Sequence, residues 1–109
     1  MVDTTAERAV RNEAIFREAN EAIESSAVEN RIDVVPFICE CADPACTRIV
    51  RLPLEDYERV RANGRYFLVA PGHEDDTGPG QVVEENAGYE IVEKVGEVGR
   101  FAQALDERR

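Results

Sequence analysis

Three cysteines fall within eight residues, as Cys39-Glu40-Cys41 and, after four intervening positions, Cys46. The single histidine, His73, follows a Pro71-Gly72 pair further along the chain. Thiolate and imidazole are ligands of tetrahedral zinc, and three Cys with one His is a common structural set. Alternate residues of an extended chain point the same way, so Cys39 and Cys41 present both sulfurs on one face. The stretch Ala42-Asp43-Pro44-Ala45 reads as a turn, long enough to fold Cys46 back against them. The expected metal site is Cys39, Cys41, Cys46 and His73 around Zn2+. Three thiolates leave it with one negative charge in excess, which backbone N–H groups of the turn can offset.

Other chemistry could use the same residues. Without His73 the fourth position falls to Glu40, Glu74, Asp75 or water. Water there makes a catalytic zinc that acidifies its bound water, with Glu74 or His73 as general base. No H-x-x-x-H or H-x-E motif accompanies that arrangement, and no catalytic residue is assigned. A [2Fe–2S] cluster is the alternative cofactor. In ligand types the set is similar to the NEET-type [2Fe–2S] proteins, but the third cysteine comes sooner and Cys46-Thr47-Arg48 replaces their C-D-G-S-H signature. The run Glu74-Asp75-Asp76 lacks the spaced ligands of a calcium loop, and the scattered glycines form no phosphate-cradling pattern. The bland alternative is three small buried cysteines beside a solvated loop histidine. Glu40 and Asp43 make this a poor core segment and speak against it.

The chain has 109 residues and a net charge of −10. That length suits one domain with a modest core. With four Phe, three Tyr and no Trp, a metal would strengthen it. The acidity argues against nucleic acid, whose phosphates need a basic patch, and against an anionic membrane surface. The densest basic group, Arg48, Arg51, Arg59, Arg61 and Arg65, reads as a solvated face neutralised by nearby Glu. The start has no basic, apolar leader, and no stretch approaches the roughly 20 apolar residues of a membrane helix. The expectation is a cytoplasmic protein, where clustered cysteines serve as metal ligands rather than disulfides.

The elements that must position these ligands follow from periodicity. Residues 5–30 read as a long amphipathic helix, rich in Ala, Glu and Arg, without Gly or Pro. Phe16, Ala19 and Ile23 form its apolar stripe, widened by Ile15 and Ala22. Ile32 to Cys41 reads as a strand, and Pro36 places it at an edge or a bulge. Thr47 to Leu52 pairs with it as a hairpin whose tip carries the cysteines. Pro53 opens a short helix with Leu54, Tyr57 and Val60 inward, and Asn63-Gly64 stops it. Tyr66 to Ala70 is a third strand, turned by Pro71-Gly72 into His73. Residues 74–81 read as an acidic loop. Val82 to Glu85 and Tyr89 to Val95 form a second hairpin. A helix from about Val98 to Asp106 closes the chain, with Phe101, Ala104 and Leu105 apolar. The fold class is α+β, a small, mostly antiparallel sheet with helices on one face. Residues 1–30 form the helical segment and 31–109 the zinc-binding α+β part of one domain.

The segments Asn12 to Glu18, Phe37-Ile38-Cys39-Glu40-Cys41, Leu54 to Glu58, Val69-Ala70-Pro71-Gly72-His73-Glu74 and Ile91 to Lys94 carry a resemblance. Together they resemble a group of small actinobacterial-type proteins with a Cys-Glu-Cys-x4-Cys and Pro-Gly-His pattern. The resemblance implies a bacterial cytosolic setting and the same ligand set, and it implies no activity. The sequence therefore points to a small zinc protein with structural zinc, acting as a protein-interaction or regulatory module. The helix 5–30 would meet a protein partner or a second copy. A zinc–thiolate redox or metal sensor and a zinc-dependent hydrolase stand as alternatives.

Overall fold

The computed structural model describes residues 5–73, 80–106 and 108. The order is α1 (Thr5–Glu29), β1 (Val34–Ile38), β2 (Ile49–Pro53), α2 (Leu54–Arg61), β3 (Tyr66–Val69), β4 (Gly80–Glu85), β5 (Glu90–Lys94) and α3 (Gly96–Leu105). The α+β class and both expected hairpins are present. The strands make two antiparallel sheets rather than one: β1–β2, and a three-stranded sheet in the order β3-β5-β4.

Register explains how Pro36 fits. Cys39 N–H donates to Arg48 O across the hairpin at 3.1 Å. Alternate N–H groups of an antiparallel strand face opposite sides, so those of positions 37 and 35 also face β2, and position 36 faces the outer edge. A residue without an N–H costs no ladder bond there. The inward side chains of the hairpin, Val35, Phe37, Val50 and Leu52, are buried. Phe37 stacks on Tyr57 of α2 with ring centroids 4.0 Å apart. Leu68, Val69, Ile91 and Val92 join this core from the second sheet. A smaller cluster of Val10, Phe67 and Ala102 lies where α1 meets α3.

Helix α1 departs from its sequence reading. Its buried residues are Ala9, Val10, Glu13, Arg17, Asn20, Glu24 and Ala27. Their three- and four-residue spacing defines one helical face, and its middle is polar. Of the expected apolar stripe, Ile15 is 61% exposed, Ala22 is exposed, and Phe16, Ala19 and Ile23 are half-buried. Specific polar contacts replace apolar burial. Glu13 pairs with Lys94 at 2.9 Å, both buried. Arg17 donates to Gly64 O at 2.7 Å and Ala102 O at 2.9 Å, and its guanidinium lies 4.4 Å from the Phe67 ring centroid. Glu21 and Glu24 meet Arg108, and Glu21 also meets Arg61.

The helix ends in a Schellman arrangement. Ile32 N–H bonds to Ala27 O at 2.9 Å and Arg31 N–H to Val28 O at 3.3 Å. Arg31 takes the left-handed conformation at φ 57°, a position that usually calls for glycine.

The basic group does not form one face. Arg61 is buried between Glu21 and Asp106. Arg59 pairs with Glu84 and Arg65 bonds to Gln103, while Arg48 and Arg51 are exposed. Among the described residues, no helix is long and apolar enough to cross a membrane.

Candidate metal centre

The four expected ligands come together from two separate loops. Strand β1 ends at Ile38, one residue before the first cysteine. The chain stays extended and bridges the two sheets: Glu40 N–H donates to Leu68 O at 2.7 Å. Cys39 and Cys41 are buried, and Glu40 between them is buried on its own terms. The turn that follows is built by its sequence. Cys46 N–H closes on Asp43 O at 3.1 Å, with Pro44 at the position where its fixed φ is preferred. The Asp43 carboxylate accepts from Ala45 N–H at 2.9 Å. Cys46 is thereby folded back towards the other two sulfurs.

His73 arrives from the end of β3. Its N–H bonds to Ala70 O at 2.9 Å across Pro71-Gly72, and Gly72 sits at φ 81°. Proline followed by a residue of positive φ is the signature of a type II turn. The imidazole Nδ1 lies 3.7 Å from Cys39 Sγ and 3.6 Å from Cys46 Sγ. All four ligand atoms lie within 4.8 Å of one another.

These distances can be set against a metal. Zn–S bonds of about 2.3 Å and Zn–N bonds of about 2.0–2.1 Å give tetrahedral S···N edges of about 3.5 Å. The two observed S···N separations match that edge to within a few tenths of an ångström. The donor set and its geometry fit a metal ion, with two ligands buried and Cys46 and His73 half-buried.

Burial pushes the Cys39 thiol up, and its cysteine neighbours push it further, against the opposing hydrogen bond from Ala70 N–H at 3.2 Å. Burial likewise raises Cys41. Three adjacent thiolates repel one another, and a cation among them is what allows all three to ionise together.

Comparison with known proteins finds no matching family model, curated protein or solved structure. The site is therefore read from its own chemistry.

Glu40 does not belong to the ligand set. Its Oε2 accepts from Asn20 Nδ2 and from Tyr57 Oη, each at 2.8 Å, and its Oε1 accepts from Leu68 N–H at 2.9 Å. Burial raises this carboxyl, and the three donors oppose the rise. The expectation that Glu40 makes the segment unfit for the core is corrected: three donors satisfy it inside. Glu74 and Asp75, the other alternative ligands, lie outside the described residues.

Ala70, Asn20 and Tyr57 support the site; of these only Tyr57 was expected to face inward, as a core residue. Ala70 contributes only its backbone, which leaves no side-chain signal. Asn20 had one, as a polar member of the 13, 17, 20, 24 spacing on α1. The cavity of about 210 Å³ lined by Arg17, Glu21, Arg61 and Asp106 and the neighbouring one at Gly64 and Gln103 include none of the four ligands.

Proposed function

We propose that this chain is a small zinc protein whose ion is structural and which serves as a protein-interaction or regulatory module. The observation that carries the reading is the meeting of Cys39, Cys41, Cys46 and His73, whose ligand atoms all lie within 4.8 Å of one another, with His73 Nδ1 3.6 and 3.7 Å from two of the sulfurs. Four protein ligands complete the coordination of a structural zinc. An open-site hydrolase would keep one position for water, so the full set speaks against it. A [2Fe–2S] cluster divides its four ligands between two irons, whereas these four atoms cluster tightly enough to surround one ion.

Zinc at this point joins the β1–β2 loop to the turn after β3, and so one sheet to the other. Zinc bound there adds to the stability of a modest core. A partner protein or a second copy would meet the outward side of α1, where Ile15 is 61% exposed. The test is thermal unfolding with zinc and with an excess of chelator. The reading expects a large drop in Tm on chelation, and an unchanged Tm would refute a structural role.

A second reading, a zinc–thiolate redox sensor, has one observation in its favour. Cys46 is half-buried while the other cysteines are buried, so oxidants reach one thiolate first. Peroxide treatment followed by a zinc-sensitive dye separates the two readings: no zinc release from a folded chain removes the sensor.

A further inference from the structure

The side of the Cys39–Cys41 segment that faces away from the ligands is wired directly to helix α1. The Asn20 side chain behaves as a strand partner for the outer edge of β1. Its Oδ1 accepts from Ile38 N–H at 2.8 Å, and its Nδ2 donates to Ile38 O at 2.8 Å. The second hydrogen of the same amide reaches Glu40 Oε2, also at 2.8 Å. One residue of α1 thus fixes the backbone immediately before Cys39 and the side chain between Cys39 and Cys41. Asn20 and Glu40 are both completely buried, where losing a partner leaves polar atoms unsatisfied.

Helix α1 packs apolar residues near its ends, Val10 and Ala27, and is held between them by directional polar contacts. Those at Glu13, Arg17 and Glu24 involve Lys94, two backbone carbonyls and Arg108, all away from the cysteines. Asn20 holds the ligand segment at Ile38 and Glu40 on either side of Cys39, and the longer Asn12 Nδ2 to Ala42 O contact, at 3.4 Å, meets it just beyond Cys41. A helix docked this way responds to the geometry of each latch, because hydrogen bonds weaken steeply with distance and angle.

We propose that Asn20 and Glu40 are positioning residues for the metal centre, and that through them metal occupancy sets how firmly α1 is docked. The inference rests on the zinc reading and supplies its regulation. Metal on the far side of Cys39 and Cys41 holds Ile38–Glu40 in the shape that Asn20 clasps. Loss of metal loosens that shape and releases the middle of α1. Linkage makes the coupling reciprocal: an unclasped α1 lowers metal affinity by the same factor by which metal loss weakens docking.

The test uses the full chain in two measurements. The first is Co2+ and Zn2+ affinity, by chelator competition, of wild type, Asn20→Ala and Val10→Ala. Val10 packs on Phe67 and Ala102, so its truncation loosens α1 without touching the ligand segment. Asn20→Ala is expected to weaken metal binding by about 10-fold to 100-fold, as residues supporting a metal's ligands do, and Val10→Ala by much less. Equal losses would reduce the effect to general instability and overturn the proposal, as would an unaltered affinity in Asn20→Ala.

The second is amide hydrogen exchange of wild type with zinc and with chelator, at a temperature below the Tm of the chelated chain. Residues around Asn20 are expected to lose protection on chelation while β4 and β5 keep theirs. Unchanged protection of α1, or simultaneous loss across the whole chain, would refute the selective coupling. Absence of any tetrahedral Co2+ spectrum in wild type would instead refute the zinc reading beneath it.

Discussion

The Sγ of Cys46 lies 3.6 Å from Nδ1 of His73, although 27 positions separate them in the chain. Neither residue is in a helix or a strand. Two turns bring them together, Asp43 to Cys46 and Ala70 to His73, each closed by a hydrogen bond between its ends. The backbone chemistry of those turns therefore decides whether the site forms, and it gives the first prediction.

Gly72 should be a sensitive position although it makes no ligand contact. Its φ of 81° favours glycine, and a Cβ there would meet nothing within 4 Å. Any cost of Gly72→Ala is then backbone strain alone, on the order of 1 kcal/mol. The expected result is a lower denaturation midpoint and weaker zinc binding, because His73 is displaced. Gly72→Asn should recover part of both, since Asn tolerates the left-handed region. Chelator competition and urea unfolding read the two effects separately.

Arg31 offers the opposite case. It holds the left-handed position of the Schellman arrangement at φ 57° and is exposed. Arg31→Gly should stabilise the chain by about 0.5–1 kcal/mol. Urea unfolding is the measurement, and a midpoint at or below that of wild type would contradict the assignment.

How much of this was readable from sequence depends on how local each signal is. The hairpins, the three helices and the residues of the Cys3His cluster were legible because proline, glycine and cysteine act at fixed places in the chain. Pro71-Gly72 marked the turn that delivers His73, and Cys-x-Cys marked the paired sulfurs. The docking face of α1 was not legible. Apolar periodicity selected Phe16, Ala19 and Ile23, whereas the buried face runs through Glu13, Arg17, Asn20 and Glu24. Each of these finds its partner in a distant element: Lys94, Gly64 with Ala102, Ile38 with Glu40, and Arg108. Only the assembled fold shows that such side chains are satisfied inside. The division into two sheets was hidden for the same reason, since the bridge between them is the Glu40–Leu68 pairing.

The buried pair of Arg61 and Asp106 gives stability a dependence on pH. Burial alone would raise the Asp106 carboxyl, but hydrogen bonds from Arg61 and from Arg108 N–H hold it below the usual carboxylate range. A depressed folded pKa contributes stability above the unfolded value, and that stability is lost as pH falls through the folded one. Asp106→Asn should therefore cost on the order of 3 kcal/mol at pH 7, since it leaves Arg61 buried with one fewer counter-charge. The gap between variant and wild type should narrow below about pH 4. Urea unfolding at pH 7 and pH 3 checks this, and a gap that is the same at both would remove the ion pair as its source.

The central claim is that Cys39, Cys41, Cys46 and His73 hold one zinc ion. Elemental analysis with a visible spectrum, on purified wild type and His73→Ala, tests it most directly. The expected result is one zinc per wild-type chain in a colourless solution, with the metal lost or much more weakly held in the variant. Iron in a coloured solution, full zinc retention by His73→Ala, or no metal in wild type would each contradict it.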